Sequence, residues 1–218
     1  MKRIIFTLLI LSGITSFAQK KAFNQFSVEA NYGLSLPVAP IPDGRKAGEF
    51  NGFTHFSLGA RYMFLPEIGA KVSYAHDKFQ DSKSTSNKLV YNRFDIEAVS
   101  NLVALFKLEG DFWEDFGLLA HAGIGVIYAN PTDAVNNEKV GNVIIGVNPM
   151  YRISKKLALS LDFAYNISPK MHFGYDGYLI EPDFEPSSGF DSSTGGFINV
   201  SVGLKYYIGN KGDHADWQ

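Results

Sequence analysis

Residues 157–167 read LALSLDFAYNI, an alternation of two kinds of side chain. Bulky apolar residues recur at every second position from Leu157 to Tyr165, and Ser160 and Asp162 lie among the residues between them. A period of two is that of a β-strand, whose successive side chains point to opposite faces. The stretch has 11 residues. It exceeds the ~5–6 residues of a usual soluble strand and matches the ~9–11 with which a tilted strand crosses a bilayer.

The same alternation recurs along the chain and predicts eight strands. Their approximate ranges are 26–35, 53–64, 67–76, 90–106, 116–128, 142–153, 157–167 and 197–208. Short connections near 65–66, 107–115 and 154–156 alternate with long ones at 37–52, 77–89, 129–141 and 168–196. Short turns at one end and long loops at the other are typical of outer-membrane barrels. The sequence therefore predicts an all-β fold, namely an eight-stranded antiparallel up-and-down transmembrane β-barrel with four long extracellular loops and short periplasmic turns.

Alternation alone does not say which face of the strands points inward. A secreted barrel of the lipocalin type also has eight strands, and its apolar face points into a cavity. Here the apolar face is bulky and aromatic, whereas the polar face is rich in Gly and carries a few long charged side chains. The interior of an eight-stranded barrel is only just wide enough for its own side chains, so we expect the polar face inside. Aromatic residues near strand ends would form interfacial girdles; they are Tyr32, Tyr62, Phe64, Tyr74, Tyr128, Tyr151, Tyr165 and Tyr206.

The polar face predicts a charge network in the lumen. Its members are Glu29, Arg61, Lys71, Arg93, Asp95, Glu97, Arg152, Asp162 and Lys205. A single Arg or Lys facing lipid would cost about 2–4 kcal/mol at the bilayer midplane, whereas opposite charges pair inside the barrel. We interpret the network as a plug that fixes strand register. The alternative is a narrow ion path gated by a switched Arg–Glu pairing. His55 and His121 lie on the same face, and we interpret them as hydrogen-bonding residues rather than metal ligands.

The N-terminal residues have the three parts of a secretory signal peptide. Met1-Lys2-Arg3 is basic, an apolar run follows to Leu11, and Ser16-Phe17-Ala18 offers small residues before a cleavage site. The apolar run is shorter than the ~20 residues of a spanning helix. We expect a cleavable signal peptide at 1–18, a barrel at 19–208 and a periplasmic tail at 209–218.

Composition excludes several classes of protein. The 218 residues are 45% hydrophobic and 19% charged, with a net charge of −2 and no Cys. These values exclude a disordered chain and a disulfide scaffold. The near-neutral charge offers no basic surface for nucleic acid, which is not an expected partner. The absence of Cys excludes thiol catalysis, thiolate metal sites and Fe–S clusters.

The predicted loops contain residue types that an enzyme at the barrel rim would use. These are His76, Asp77, Asp81, Ser82, His172, Asp176 and Ser187. Such residues are common in loops, and a filled lumen leaves no substrate pocket, so we expect no catalytic residues and no cofactor. The acidic residues of the fourth loop lack the spacing of a calcium loop, and no metal site is predicted; they are Asp176, Glu181, Asp183, Glu185 and Asp191. In the longer short-side turn, Phe112 and Trp113 are expected to anchor at the membrane interface.

Three stretches support a family resemblance: YNRFDIE at 91–97, GVNPMYRIS at 146–154 and VGLKYYIG at 202–209. With the strand pattern, residues 19–208 resemble the OmpA-type eight-stranded outer-membrane β-barrel family, in its Bacteroidetes-like form. The ending His214-Ala215-Asp216-Trp217 resembles the start of the periplasmic linker of longer members. Their peptidoglycan-binding domain is absent from this sequence, so peptidoglycan tethering is not implied.

The resemblance implies an exported, porin-like protein of a Gram-negative cell envelope, embedded in outer-membrane lipid. It is compatible with a structural envelope role, with a subunit of a larger assembly that includes other outer-membrane or periplasmic proteins, and with a small low-conductance pore. An outer-leaflet rim enzyme is the least favoured alternative. We expect a non-enzymatic structural or accessory protein whose loops and tail act through their exterior surfaces.

Overall fold

The computed structural model describes residues 23–39, 41, 46–82, 88–131, 138–178 and 194–217. Eight strands form a closed barrel in which sequence neighbours pair antiparallel and the first strand closes on the last. The strands are β1 Phe26–Ala39, β2 Gly52–Met63, β3 Ile68–Gln80, β4 Lys88–Asn101, β5 Phe116–Pro131, β6 Glu138–Ser154, β7 Leu157–Ser168 and β8 Gly195–Ile208. The predicted fold class is confirmed. The predicted signal peptide at 1–18 lies outside the described residues.

The two ends of the barrel differ. Two short helices connect β4 to β5, namely α1 at Leu102–Phe106 and α2 at Phe112–Asp115. They lie at the end where β1 begins and β8 finishes, which we call the turn end; the opposite end is the loop end. A 3-10 helix at Ala47–Phe50 lies between β1 and β2, and another at Ala215–Trp217 follows β8. None of the helices in the described ranges is long and apolar enough to cross a membrane.

Apolar side chains cover the outside of the barrel, and polar ones fill the inside. Leu161 and Val202 face outward and are 42% and 52% exposed, whereas Ser160 and Lys205 face inward and are buried. The face assignment made from the sequence is therefore confirmed, and the alternative of a soluble barrel with an apolar interior is wrong.

The fourth strand is shorter than predicted, because residues 102–106 form α1 instead of extending the strand to 106. The Asn101 side chain accepts hydrogen bonds from the backbone N–H groups of Val103 and Ala104, which is how a helix N-cap acts. Lys107 then ends the helix with a left-handed backbone at φ 51°. The run after Asn101 is apolar at nearly every position, so its period distinguishes poorly between helix and strand.

Several strands extend further toward the loop end than predicted. In β3 the ladder continues past His76, through the pairs Asp77↔Tyr91 and Gln80↔Lys88. Asp77 was predicted to lie in a loop, and this placement is wrong, because the residue continues the inward face of the strand and is completely buried. The period was hard to follow here because the inward face changes from polar to apolar at Phe79, which is also buried.

Candidate functional site: the filled lumen and its two ends

A chain of alternating charges crosses the middle of the lumen. Lys205 Nζ lies 2.6 Å from Glu29 Oε2, and Lys71 Nζ lies 3.4 Å from Glu29 Oε1. The same Lys71 ammonium lies 3.1 Å from Glu97 Oε1. Strands β1, β3, β4 and β8 each place one member on the inward face. We call this set, together with His121 and Asp162, the charge layer.

His121 extends the charge layer to the far side of the barrel. Its Nδ1 lies 2.5 Å from Glu97 Oε2, and its Nε2 lies 3.3 Å from Asp162 Oδ2. Asn148 donates a hydrogen bond of 2.9 Å to the same Asp162 oxygen. His121 therefore lies between two carboxylates, which fits its predicted role as a hydrogen-bonding residue of the lumen.

Glycines on neighbouring strands make room for these long side chains. A Cβ at Gly59 would lie 2.9 Å from Glu29 Cγ, and one at Gly146 would lie 2.4 Å from His121 Nε2. Either contact is closer than side chains tolerate, so the long side chains fit only because their neighbours lack a Cβ. The Gly-rich polar face noted in the sequence thus has a steric cause.

A second buried cluster lies around Asp77, on the loop-end side of the charge layer. Ser35 and Asn199 donate hydrogen bonds of 2.8 and 2.7 Å to Asp77 Oδ1, and His55 Nδ1 lies 2.8 Å from the same oxygen. Arg93 Nη1 lies 3.7 Å from the other carboxylate oxygen. One carboxylate thus links residues from strands β1, β2, β4 and β8.

Arg93 connects the Asp77 cluster to the other side of the barrel. Its Nε lies 2.7 Å from Asp95 Oδ2, and its Nη1 donates a hydrogen bond of 2.6 Å to Asn166. Asn142 donates a hydrogen bond of 2.9 Å to Asp95. The guanidinium also lies over the ring of Phe197, with its carbon 5.4 Å from the ring centroid. Arg93 therefore lies at the boundary between the polar part of the lumen and the apolar residues at the loop end.

An apolar cluster fills the loop end of the barrel. Inward residues of five strands meet side chains from the connections there; the buried members are Phe50, Phe79, Leu89, Tyr91, Ile127, Ala129, Val140, Met171, Tyr175 and Phe197. Tyr175 packs on Phe79 at a centroid distance of 4.6 Å and donates a hydrogen bond of 2.8 Å to the backbone oxygen of Gly196. Parts of two connections thus fold back into the mouth, an arrangement that the sequence analysis did not anticipate.

The tail after β8 fills the turn end. Asp216 forms a double hydrogen bond with Arg61, at 2.7 Å to Nη1 and 2.5 Å to Nη2. The Tyr207 hydroxyl donates to the same carboxylate at 3.1 Å, and Asn101 donates to the backbone oxygen of Asp216 at 3.2 Å. His214 stacks on Tyr207 with ring centroids 4.3 Å apart. The residues that resemble a linker therefore lie inside the mouth.

Two further contacts hold the tail. Trp217 packs against the buried apolar cluster of Val99, Leu119 and Met150. Arg152 pairs with Asp213 of the tail and lies over the Trp217 ring, with its guanidinium carbon 5.5 Å from the ring centroid. Arg152 was predicted to belong to the lumen network. It lies at the turn-end mouth, close to the end of β6, and its carboxylate partner there is Asp213 of the tail rather than a strand residue.

The electrostatics of Asp216 favour the docked tail. Burial alone would raise the pKa of its carboxyl, but the Arg61 guanidinium, with His214 beside it, outweighs burial and holds the pKa well below its usual range. A bidentate Arg–carboxylate pair is among the strongest side-chain interactions. The tail therefore remains anionic where it meets the barrel.

Little free space remains among these groups. Two cavities within the polar lumen have volumes of about 20 and 10 Å³, which is room for about one water molecule each. In the described ranges, no group of three or more His, Cys, Asp or Glu side chains is placed to hold a metal ion. The arrangement suits mutual neutralisation of charges better than binding of a substrate.

Among the described residues considered for a rim enzyme, the structure places His76, Asp77 and His172 in separate contacts. Asp77 lies inside the lumen, whereas His76 lies 3.0 Å from Asn92 of the neighbouring strand. His172 pairs with Glu138 at the loop end. Ser187 and the acidic positions Glu181, Asp183, Glu185 and Asp191 lie outside the described residues.

Asp77 and Asp216 are partners of lumen cations that were not predicted from the sequence. A signal for Asp77 was present, since Lys71, Ser73 and Asp77 share one phase of the strand period. No comparable signal marked Asp216, which lies 155 positions from Arg61 and outside any strand. Long-range pairing with an irregular segment leaves no periodic pattern.

Two solved structures share this architecture. Neisserial surface protein A is 13% identical, with 84% of this chain and 97% of that protein covered and a TM-score of 0.54. A major outer membrane protein from Thermus thermophilus is 12% identical, with 84% and 98% covered and a TM-score of 0.50. At these identities the likeness shows the fold, that of bacterial outer-membrane barrels. No protein-family model matches the sequence, nor does any curated protein sequence.

Proposed function

We propose that this chain is a non-enzymatic barrel of the bacterial outer membrane with a structural or accessory role in the envelope. The filled lumen carries this proposal. An apolar cluster occupies the loop end, the charge layer crosses the middle, and the tail occupies the turn end. Three barriers in series argue against a route for solutes or ions.

The outer surface supports an outer-membrane location, with the loop end outside the cell and the turn end in the periplasm. A belt of exposed apolar side chains surrounds the barrel, and inside it the charged groups are paired. This is the distribution that hydrocarbon requires, since a charge facing lipid is costly. Membership of the OmpA-type family, cleavage of a signal peptide at 1–18 and a barrel domain spanning 19–208 belong to the same proposal.

The chemistry of one concavity on the outer surface supports the non-enzymatic role. A concavity of about 730 Å³ extends across the outer face from β8 over β1 and β2 to β3, with single residues of β4 and β7 at its margins, and its wall is almost entirely apolar. Its lining includes the outward residues Val28, Leu58 and Val72. A surface of this chemistry suits lipid chains rather than a polar substrate.

Recordings in planar lipid bilayers test the filled lumen. The full-length protein is refolded in detergent, checked for a folded barrel by its heat-dependent gel migration, and reconstituted. We expect no conductance steps above those of protein-free membranes. Reproducible steps from the folded protein would instead support the low-conductance pore.

Isolation from native outer membranes in mild detergent tests which envelope role applies. A partner that remains bound in fixed proportion would identify an accessory subunit of a larger assembly. A barrel that migrates alone would identify a structural protein. Turnover of a lipid by the purified barrel would contradict the non-enzymatic proposal.

A further inference from the structure

We propose that the turn-end mouth of the barrel is a binding site for an acidic peptide segment with a neighbouring aromatic residue, and that residues 213–217 of this chain occupy it in cis. The site depends only on the barrel fold, so it goes beyond the envelope role. The matching ligand is a protein segment with the chemistry of Asp213-His214-Ala215-Asp216-Trp217.

The side chains that receive Asp216 belong to the strands of the barrel. Arg61 is held in β2 by ladder pairing with Ser27 on one side and Lys71 on the other. Asn101 ends β4 and Tyr207 lies near the end of β8, both within paired strands. The strands thus present a guanidinium, an amide and a hydroxyl toward one point.

The ligand side is recognised by its side chains. The Asp216 carboxylate meets both terminal nitrogens of Arg61, a fork-to-fork geometry that selects carboxylates. Trp217 fills the apolar pocket of Val99, Leu119 and Met150. An aromatic anchor next to a paired charge is also the arrangement that dominates protein–protein binding.

Backbone hydrogen bonds align the segment as they would a bound peptide. Asn24 N–H donates to the backbone oxygen of Asp213 at 2.8 Å, and Ala215 N–H donates to the backbone oxygen of Asn24 at 2.9 Å. Asn24 and His214 form a parallel β-bridge. Pairing of an added segment with an edge is a common mode of peptide recognition.

The connection to β8 is short and turns sharply. Residues 209–212 read GNKG, and Gly209 has a φ of 147°, which other residues rarely adopt. This turn sends the chain back into the mouth. Because the tail is tethered, its effective concentration at the site is of millimolar order, and a separate peptide competes poorly with it.

An unoccupied mouth would strongly favour an anion. With the tail docked, Arg61 is only 1% exposed, and a guanidinium in this position that loses its carboxylate is unfavourable. Without the tail, Arg61 and Arg152 would both lose the carboxylates with which they pair. Weakening the tail should therefore uncover affinity for an acidic segment supplied from outside.

The test uses the full chain with Asp216→Asn, which weakens docking in cis, and wild type as its control. The probe is a fluorescein-labelled peptide with the sequence of residues 211–217, KGDHADW, and binding is followed by fluorescence anisotropy. We expect at least about tenfold tighter binding to the variant than to wild type. A peptide with Asn at both Asp positions should not bind, and Arg61→Gln combined with Asp216→Asn should abolish binding of the acidic peptide.

Heat-dependent gel migration verifies that each variant is a folded barrel. Trp217→Ala provides a second way to weaken the tail and should also increase peptide binding. If both variants are folded and neither binds the peptide, the tail is only a covalent part of the fold and the proposal is wrong. Equal binding of the acidic and neutral peptides would overturn it as well.

Discussion

The Asp77 side chain links several strands of the barrel, because its carboxylate forms hydrogen bonds with Ser35, His55 and Asn199 from three other strands. Asp77→Ala would leave these buried groups without their acceptor and Arg93 without one of its carboxylates. We expect the free energy of unfolding to fall by about 3 kcal/mol. Urea unfolding in phospholipid vesicles measures this difference.

Asp111 provides the matched control, because it is exposed between α1 and α2 and its side chain caps neither helix. Asp111→Ala should change the free energy of unfolding by no more than about 0.5 kcal/mol. Equal losses in the two variants would mean that the Asp77 cluster does not stabilise the barrel.

At outward positions, we expect an added charge to reduce stability in lipid more than the loss of an apolar side chain does. Leu161 is exposed on β7 and pairs across the sheet with Val202, which is also exposed. Leu161→Arg would place a cation against hydrocarbon, and we expect it to reduce stability in lipid by about 2–4 kcal/mol. Leu161→Ala, the control, should cost clearly less. Insertion into vesicles followed by urea unfolding compares the two, and an equal effect would contradict a lipid-facing surface.

At the scale of elements, the sequence predicted the number of strands and their faces but not all of their limits. Period-two alternation is strong where one face meets lipid and the other meets the lumen. It weakens at Phe79, where the inward side chain is apolar and the outward neighbours Lys78 and Gln80 are polar. It also could not exclude the short helix that follows Asn101. The docking of the tail was beyond prediction, because Asp216 and Arg61 meet only through the closed barrel.

The connection that contains α1 and α2 continues the outer apolar surface at the turn end. Phe112 stacks on Phe116 at a centroid distance of 4.3 Å, and Phe116 lies 5.0 Å from Tyr151. Trp113 packs edge-on against Phe112. In a Trp217→Phe variant, where Trp113 is the remaining tryptophan, we expect brominated lipids to quench its fluorescence. In Trp113→Phe they should leave Trp217 unquenched, and the reverse result would contradict the predicted interfacial anchor.

The docked tail should resist mild acid. The pKa of Asp216 is lowered on folding, so its contribution to stability is complete above the ordinary carboxyl pKa of about 3.9 and is lost only as the pH falls through the lower, folded value. The Asp216 backbone N–H also donates to His214 Nδ1 at 3.2 Å. Trp217 emission in a Trp113→Phe background should stay constant from pH 7 to 5. Asp216→Asn should shift that emission to the red, whereas a red shift of the parent on acidification would contradict this.

In the whole molecule, three barriers block the lumen one after another, and each consists of different side-chain chemistry. The loop end is apolar, the middle is ionic, and the turn end combines an ion pair with an aromatic anchor. An ion would have to pass all three, so loss of one does not open a path. Loss of a single barrier should nevertheless lower the free energy of unfolding, because all three barriers contribute contacts to the same closed barrel.

Glu29→Ala separates stability from conduction. It removes the carboxylate between Lys205 and Lys71 and leaves two buried cations close together. Breaking a buried pair in this way costs about 3–5 kcal/mol, so we expect a clear loss in urea unfolding. The loop-end cluster and the tail remain, so bilayer recordings of the folded variant should still show no conductance steps.

Glu109→Ala, on the exposed connection between the helices, should change neither property. Conductance that appears with Glu29→Ala alone would identify the charge layer as a gate and overturn the view that the three barriers close the lumen independently.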